Sequence, residues 1–315
     1  MKVGLVNNMP DSAFDETEQQ FLRLLASGMP AIGVGIRRYW MPGIQRDART
    51  RRKIRRNYRP IDALYADPPD ALVVTGTEPR HADLRDEPYW EPLSSLLQWA
   101  ERHVPATLLS CLASHGALLT IDGIDRRPLA AKLHGVFRQQ PRAAHRLVEG
   151  LGTAAFPHSR LNDVPTELLR AHGYAVLVDS PRSGWTVATR EREGRLLVLL
   201  QGHPEYAPTA LLREYRRDVR RFLDGTALTY PSIPVGYLDP EGVALLEQFR
   251  QQNQAASASD LPEFPFDAAA AHIAVDWQHD SRRLFGNWLA EATHRAARLE
   301  TQPGTHESIS RRSSA

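Results

Sequence analysis

Cysteine is almost absent: the 315 residues contain one, Cys111. A single thiol forms no intrachain disulfide and builds no cysteine-cluster zinc or iron–sulfur site. Lysine is nearly as scarce, with Lys2, Lys53 and Lys132 the only three among 39 basic residues. No charge sign dominates, since 37 acidic residues leave a net +2, which argues against a dedicated nucleic-acid binder. No apolar run approaches the roughly 18 residues of a membrane-spanning helix. Met1-Lys2 leads straight into Val3-Gly4-Leu5-Val6 and polar Asn7-Asn8, without the basic, apolar and small-residue order of a secretory leader. His-Glu-x-x-His and comparable metal spacings are also missing. These absences predict a cytoplasmic protein with no metal, no nucleic acid and no membrane partner.

What is present reads as an α/β protein. Val3–Val6, 31–39, 71–76, Ala106–Ser110 and Arg195–Leu200 have the length and apolar content of buried strands. Helical patterns stand between them: one with Phe21, Leu22, Leu24 and Leu25 on its apolar side, one after Tyr89-Trp90, one over 113–119, one over 208–223 and a last over 280–299. Residues 175–178 and 185–188 suggest a pair of strands. The alternation predicts a mostly parallel sheet flanked by helices. Residues 1–300 read as a single domain, 251–265 as a mobile loop, and the Ser/Arg-rich 301–315 as a disordered tail. Arg46–Arg59 holds eight basic residues and one acid. With Tyr58 its only aromatic it lacks a stacking surface, and it reads as a solvated face ahead of a binder of coenzyme A phosphates or nucleic acid.

Cys111 stands at the carboxyl end of a buried strand and the start of a helix, where an α/β enzyme places a nucleophile. The helix N-terminus lowers the thiol pKa and offers backbone N–H groups. Gly202-His203-Pro204-Glu205 also follows a very apolar strand, so His203 reaches the same sheet edge. An imidazole there can deprotonate the thiol, and Glu205 can orient and stabilise that imidazole. Taken separately, Cys111 also fits a small buried hydrophobe and His203 a turn fixed by Gly and Pro.

Further stretches extend the pattern in order: Val73-Val74-Thr75-Gly76, Tyr89-Trp90-Glu91, Lys132-Leu133-x-Gly135-Val136-Phe137, Pro157-His158-Ser159-Arg160, Glu214-Tyr215-x-Arg217-Asp218 and Phe285-x-Asn287-Trp288-Leu289. With Cys111 and Gly202–Tyr206 they resemble the homoserine O-acyltransferases of methionine biosynthesis, usually called homoserine O-succinyltransferases, across nearly the whole chain. The resemblance implies a class I glutamine amidotransferase-like fold and no bound cofactor. The co-substrate would be succinyl-CoA or acetyl-CoA, the acceptor L-homoserine or a similar small hydroxy amino acid, and the assembly a homodimer. It implies Cys111 as the acylated nucleophile, His203 as base and Glu205 as its acidic partner. Lys132 and Ser159 would bind substrate and Arg217 the amino-acid carboxylate. Glu214, one turn earlier, suits the ammonium or that arginine. The Leu112 N–H and an N–H at Gly76-Thr77 are the expected oxyanion donors. Succinyl transfer to homoserine is the leading expectation, with acetyl transfer to homoserine or serine second.

The chain also departs from this family. Asp11-Ser12-Ala13 follows Met-Pro in place of a basic pair, and Leu112 follows the cysteine in place of Trp. Arg80 occupies the position tied to acyl-donor choice, where it can pair with the succinyl carboxylate, fill the acyl pocket, or lie outside the pocket on a rearranged loop. From other classes, a glutamine amidotransferase-like hydrolase would use the same triad, but no Gly-rich Lys-Ser/Thr loop supplies its ATP site. A non-catalytic binding protein would show an ordinary thiol.

Overall fold

An apolar run buried on both faces needs helices on both sides of its sheet. The structure, a computed structural model describing residues 1–28, 33–253 and 262–301, has that arrangement. Its strands are β1 (Lys2–Val6), β2 (Gly35–Trp40), β3 (Arg59–Pro60), β4 (Ala71–Val74), β5 (Ala106–Ser110), β6 (Arg127–Pro141), β7 (Ala154–Asp163), β8 (Ala175–Ser180), β9 (Gly184–Arg192) and β10 (Arg195–Leu200). They form one ten-stranded sheet in the order β3-β2-β1-β4-β5-β10-β9-β8-β6-β7. The half from β3 to β10 is parallel, and the pairings from β10 to β7 are antiparallel.

The helices are α1 (Asp11–Gly28), α2 (Ala48–Asn57), α3 (Asp62–Ala66), α4 (Trp90–His103), α5 (Leu112–Asp122), α6 (Thr166–Ala171), α7 (Ala210–Leu223), α8 (Pro240–Asn253), α9 (Phe266–Ala270) and α10 (Gln278–Thr301). Successive strand residues point to opposite faces, and the two cores sort accordingly. Leu5, Val73, Leu108 and Val198 join Phe21 of α1 and Phe285 and Trp288 of α10 on one side. Val6, Val74, Leu109 and Leu199 join Leu96 of α4 and Leu118 of α5 on the other. None of the described helices is long and apolar enough to cross a membrane.

The strand expected over 31–39 begins at Gly35, with 31 and 32 outside the described residues. Of the loop expected over 251–265, residues 251–253 complete α8 and 254–261 lie outside the described residues, as do 302–315 of the expected tail. The basic run forms α2, capped by the Asp47 carboxylate, which accepts from Thr50 N at 2.6 Å. Lys53 pairs with Asp15 at 2.6 Å and also with Glu18 of α1, and Arg49 pairs with Asp15 at 2.9 Å. Part of its charge is thus neutralised by α1 within the fold.

Strand order sets the functional edge. From β1 the chain moves to β2 and β3 on one side and to β4 and β5 on the other, so the carboxyl ends of the central strands open a crevice at this switch point.

Candidate active site

Residues Ser110 and Leu200 are register partners at the ends of β5 and β10. Cys111 is one residue past the first, His203 three past the second, and the Cys111 N–H donates to Leu200 O at 2.7 Å. Parallel pairing therefore brings two residues 92 positions apart to one edge, as the sequence predicts. Cys111 has φ 49° and ψ −106°, one of two non-glycine residues with positive φ among those described. Such a backbone is strained for a side-chain-bearing residue. Here it turns the chain sharply from β5 into α5 and leaves the thiol part-exposed.

The imidazole of His203 is 7% exposed. Its Nδ1 lies 2.9 Å from Glu205 Oε1, which also accepts from the Ser110 hydroxyl at 3.0 Å. The His203 ring stacks on Tyr206 with centroids 4.2 Å apart. Burial works against charge on His203, but Cys111 and Glu205 outweigh it and hold its pKa well above the ordinary imidazole value.

Next to the stack is a cluster of four charges. Lys132 of β6 pairs with Asp218 of α7 at 2.7 Å and lies 3.5 Å from Glu214. Arg217 Nε donates to Asp218 at 3.0 Å. Glu214 accepts from the Ser159 hydroxyl of β7 and, at 2.5 Å, from the Tyr206 hydroxyl. Burial raises the Glu214 pKa, but Lys132, Ser159 and Tyr206 together carry it below its ordinary value. The Tyr206 phenol is pushed well up by burial and by Glu214, so it stays a donor. His134 is pulled to about 4 by burial and by Lys132, which keeps it neutral 3.8 Å from Glu214.

The turn after β4 supplies the other wall. A Cβ built on Gly76 would sit 3.1 Å from Leu112 N, so only glycine leaves that N–H room for an incoming oxygen. The Leu112 N–H makes no hydrogen bond among the described residues. Thr77, the second expected donor, follows Gly76 and is half-buried. Arg80 is exposed and reaches Gln45 Oε1 at 3.3 Å. The expected residues Cys111, His203 and Glu205 thus come together, as do Lys132, Ser159, Glu214 and Arg217, while the Arg80 guanidinium joins neither group.

Three contributors escaped the sequence reading. Tyr206 and Asp218 stood inside quoted stretches without a role, although Asp218 lies four residues from Glu214 on one helix face. Ser110 precedes the cysteine and looks like an ordinary strand residue. No group of three or more His, Cys, Asp or Glu among the described residues is arranged to hold a metal ion.

A family model for homoserine O-succinyltransferase matches residues 1–297. A homoserine O-succinyltransferase of Methylorubrum extorquens is 42% identical over 94% of this chain and 88% of its own length. One from Rhodopseudomonas palustris is 40% identical, covering 92% and 87% respectively. Among solved structures, a glutamine amidotransferase from Methylobacillus flagellatus superposes with a TM-score of 0.51 at 16% identity, over 92% of this chain and 94% of that one. The latter shows the fold class expected from the sequence, and the family match gives the chain its place: it belongs to the homoserine O-succinyltransferase family.

Proposed function

We propose that this chain carries out its family's reaction by a two-step route, moving a succinyl group from succinyl-CoA to the γ-hydroxyl of L-homoserine through an acyl-Cys111 intermediate. The observation that carries this reading is the buried His203–Glu205 pair beside the strained Cys111. The Cys111 thiolate attacks the thioester carbonyl, and its oxyanion is received by the Leu112 N–H and an N–H at Thr77. Collapse expels the CoA thiolate, which takes the proton from His203. Having given up that proton, the imidazole is left neutral and ready to act as a base. It then takes the γ-hydroxyl proton as that oxygen attacks the acyl-cysteine, and departure of the Cys111 sulfur frees the enzyme for another cycle.

An amino acid carries one carboxylate and one ammonium, and the cluster beside Tyr206 carries two charges of each sign. Arg217 and Lys132 suit the carboxylate, Glu214 suits the ammonium, and Ser159 fixes Glu214. Such a site excludes acceptors lacking either group more sharply than it separates homoserine from a shorter hydroxy amino acid.

Steady-state kinetics test the reading. With succinyl-CoA and L-homoserine varied, CoA thiol release should follow parallel double-reciprocal lines, the signature of a covalent intermediate. Ammonia release from glutamine without acyl transfer would replace this reading with that of a hydrolase.

A further inference from the structure

Arg126 is a half-buried cation outside the groups already assigned. Its Nη2 donates to the main-chain carbonyls of His81 at 3.2 Å and Ala82 at 3.1 Å, both neutral acceptors. Its Nε is buried and has no hydrogen-bond partner among the described residues. Two carboxylates act on it from nearby, and both are engaged elsewhere. Glu87 accepts from the N–H groups of Arg80 and His81, and Asp83 caps Arg85 N at 2.9 Å. Burial draws the guanidinium below its ordinary pKa despite support from Tyr89, Glu87, Cys111 and Asp83. Tyr89 is 5% exposed, and its buried hydroxyl has no hydrogen-bond partner among the described residues; burial and the nearby Glu87 carboxylate raise its pKa, so it stays a donor, while Arg126 acts in the opposite direction.

Leaving buried donors unpaired costs stability, the more so for a charged group. The deficit here is specific: two buried donors and one positive charge, with no ion pair among the described residues, clamped to the 81–82 stretch of the loop whose Gly76 end packs against Leu112, and with Cys111 within electrostatic reach. A small anion on the group being transferred would satisfy all of them. We propose that Arg126 and the Tyr89 hydroxyl bind the distal carboxylate of the acyl donor and so select a dicarboxylic acyl-CoA over a neutral one. This inference rests on the acyl-Cys111 reading. It places donor recognition on Arg126, leaving the exposed Arg80 beside the segment 81–82 that Arg126 also holds. As the carboxylate arrives, it takes over the guanidinium from the two neutral carbonyls.

The test compares two donors that differ only at the distal end: succinyl-CoA, and butyryl-CoA, with a methyl in place of the carboxylate. Rates of acyl-Cys111 formation are followed by intact mass for the wild type, Arg126→Gln, Arg126→Lys and Tyr89→Phe. Arg126→Gln should slow acylation by succinyl-CoA about 100-fold and leave that by butyryl-CoA, or acetyl-CoA as a second neutral donor, within about threefold. Arg126→Lys should recover part of the loss, and Tyr89→Phe should cost about tenfold with succinyl-CoA alone. An equal loss with charged and neutral donors would mean that Arg126 only holds the 81–82 segment, and would overturn the proposal; so would no loss with either. Absence of a succinyl adduct on the wild type would instead overturn the acyl-Cys111 reading beneath it.

Discussion

At the scale of single residues, the site depends on groups that serve two neighbours at once. Tyr206 is the clearest: its ring lies against His203 and its hydroxyl reaches Glu214, so one side chain joins the proposed base to the charge cluster. Tyr206→Phe keeps the ring and removes the donor. We predict a rise of about tenfold in the acceptor KM, with acyl-Cys111 formation unchanged within about twofold, because a hydrogen bond to a charged group contributes about 1.5–3 kcal/mol. A matching fall in the acylation rate would show that the hydroxyl serves the His203 side as well. Gly76→Ala places a methyl group 3.1 Å from Leu112 N, where the oxyanion is expected. Its kcat should fall about 100-fold, comparable to loss of an oxyanion donor, while thermal unfolding shifts little. Wild-type turnover in that variant would remove Leu112 N–H from the mechanism.

At the scale of elements, legibility in the sequence followed the apolar signal. β10 was readable to the residue because its last five positions are buried, and α7 because Leu211, Leu212, Tyr215 and Val219 recur at helical spacing. That helix periodicity also places Glu214 and Asp218 on one face. The β6–β7 hairpin was not legible as strands. The first half of β6 is largely exposed, and its pairing with β7 shifts register between Pro128 and Leu133, so neither alternation nor a continuous apolar run marks it. Lys132 and Ser159 could therefore be numbered from motif resemblance, but not placed. α2 was hidden for a related reason, since only Thr50 and Ile54 of its ten residues are buried. With so little packing, its cap should matter: Asp47→Ala is expected to cost about 1 kcal/mol, read as a lower urea midpoint with an unchanged m-value. A midpoint equal to wild type would mean that the ion pairs to α1 hold the helix without the cap.

At the scale of the molecule, buried histidines set the pH range of stability. Burial lowers His115 and His134 to about 4, and takes His158 well below its ordinary value. Each is neutral when folded but takes a proton in the unfolded chain below about pH 6.5. Between about pH 6.5 and 4 the unfolded state therefore binds more protons, and each histidine removes up to about 1.4 kcal/mol per pH unit of acidification. Stability should thus rise from pH 5 to about pH 6.5, and a urea-midpoint series from pH 5 to pH 8 reads this acid limb directly. A midpoint rising steadily toward pH 5 would show that the three neutral histidines do not govern the acid limb.

The sheet's largest consequence is local: parallel pairing of β5 with β10 brings Cys111 and His203, the proposed nucleophile and base, to one edge. The acyl-enzyme is the most direct test of that pairing. Intact-protein mass after mixing with succinyl-CoA should rise by about 100 Da, a simple chemical estimate for one succinyl thioester. The gain should be absent from Cys111→Ser and lost again on addition of L-homoserine. A folded protein with a free thiol that shows no mass gain, or a gain that survives in Cys111→Ser, would contradict the role assigned to Cys111.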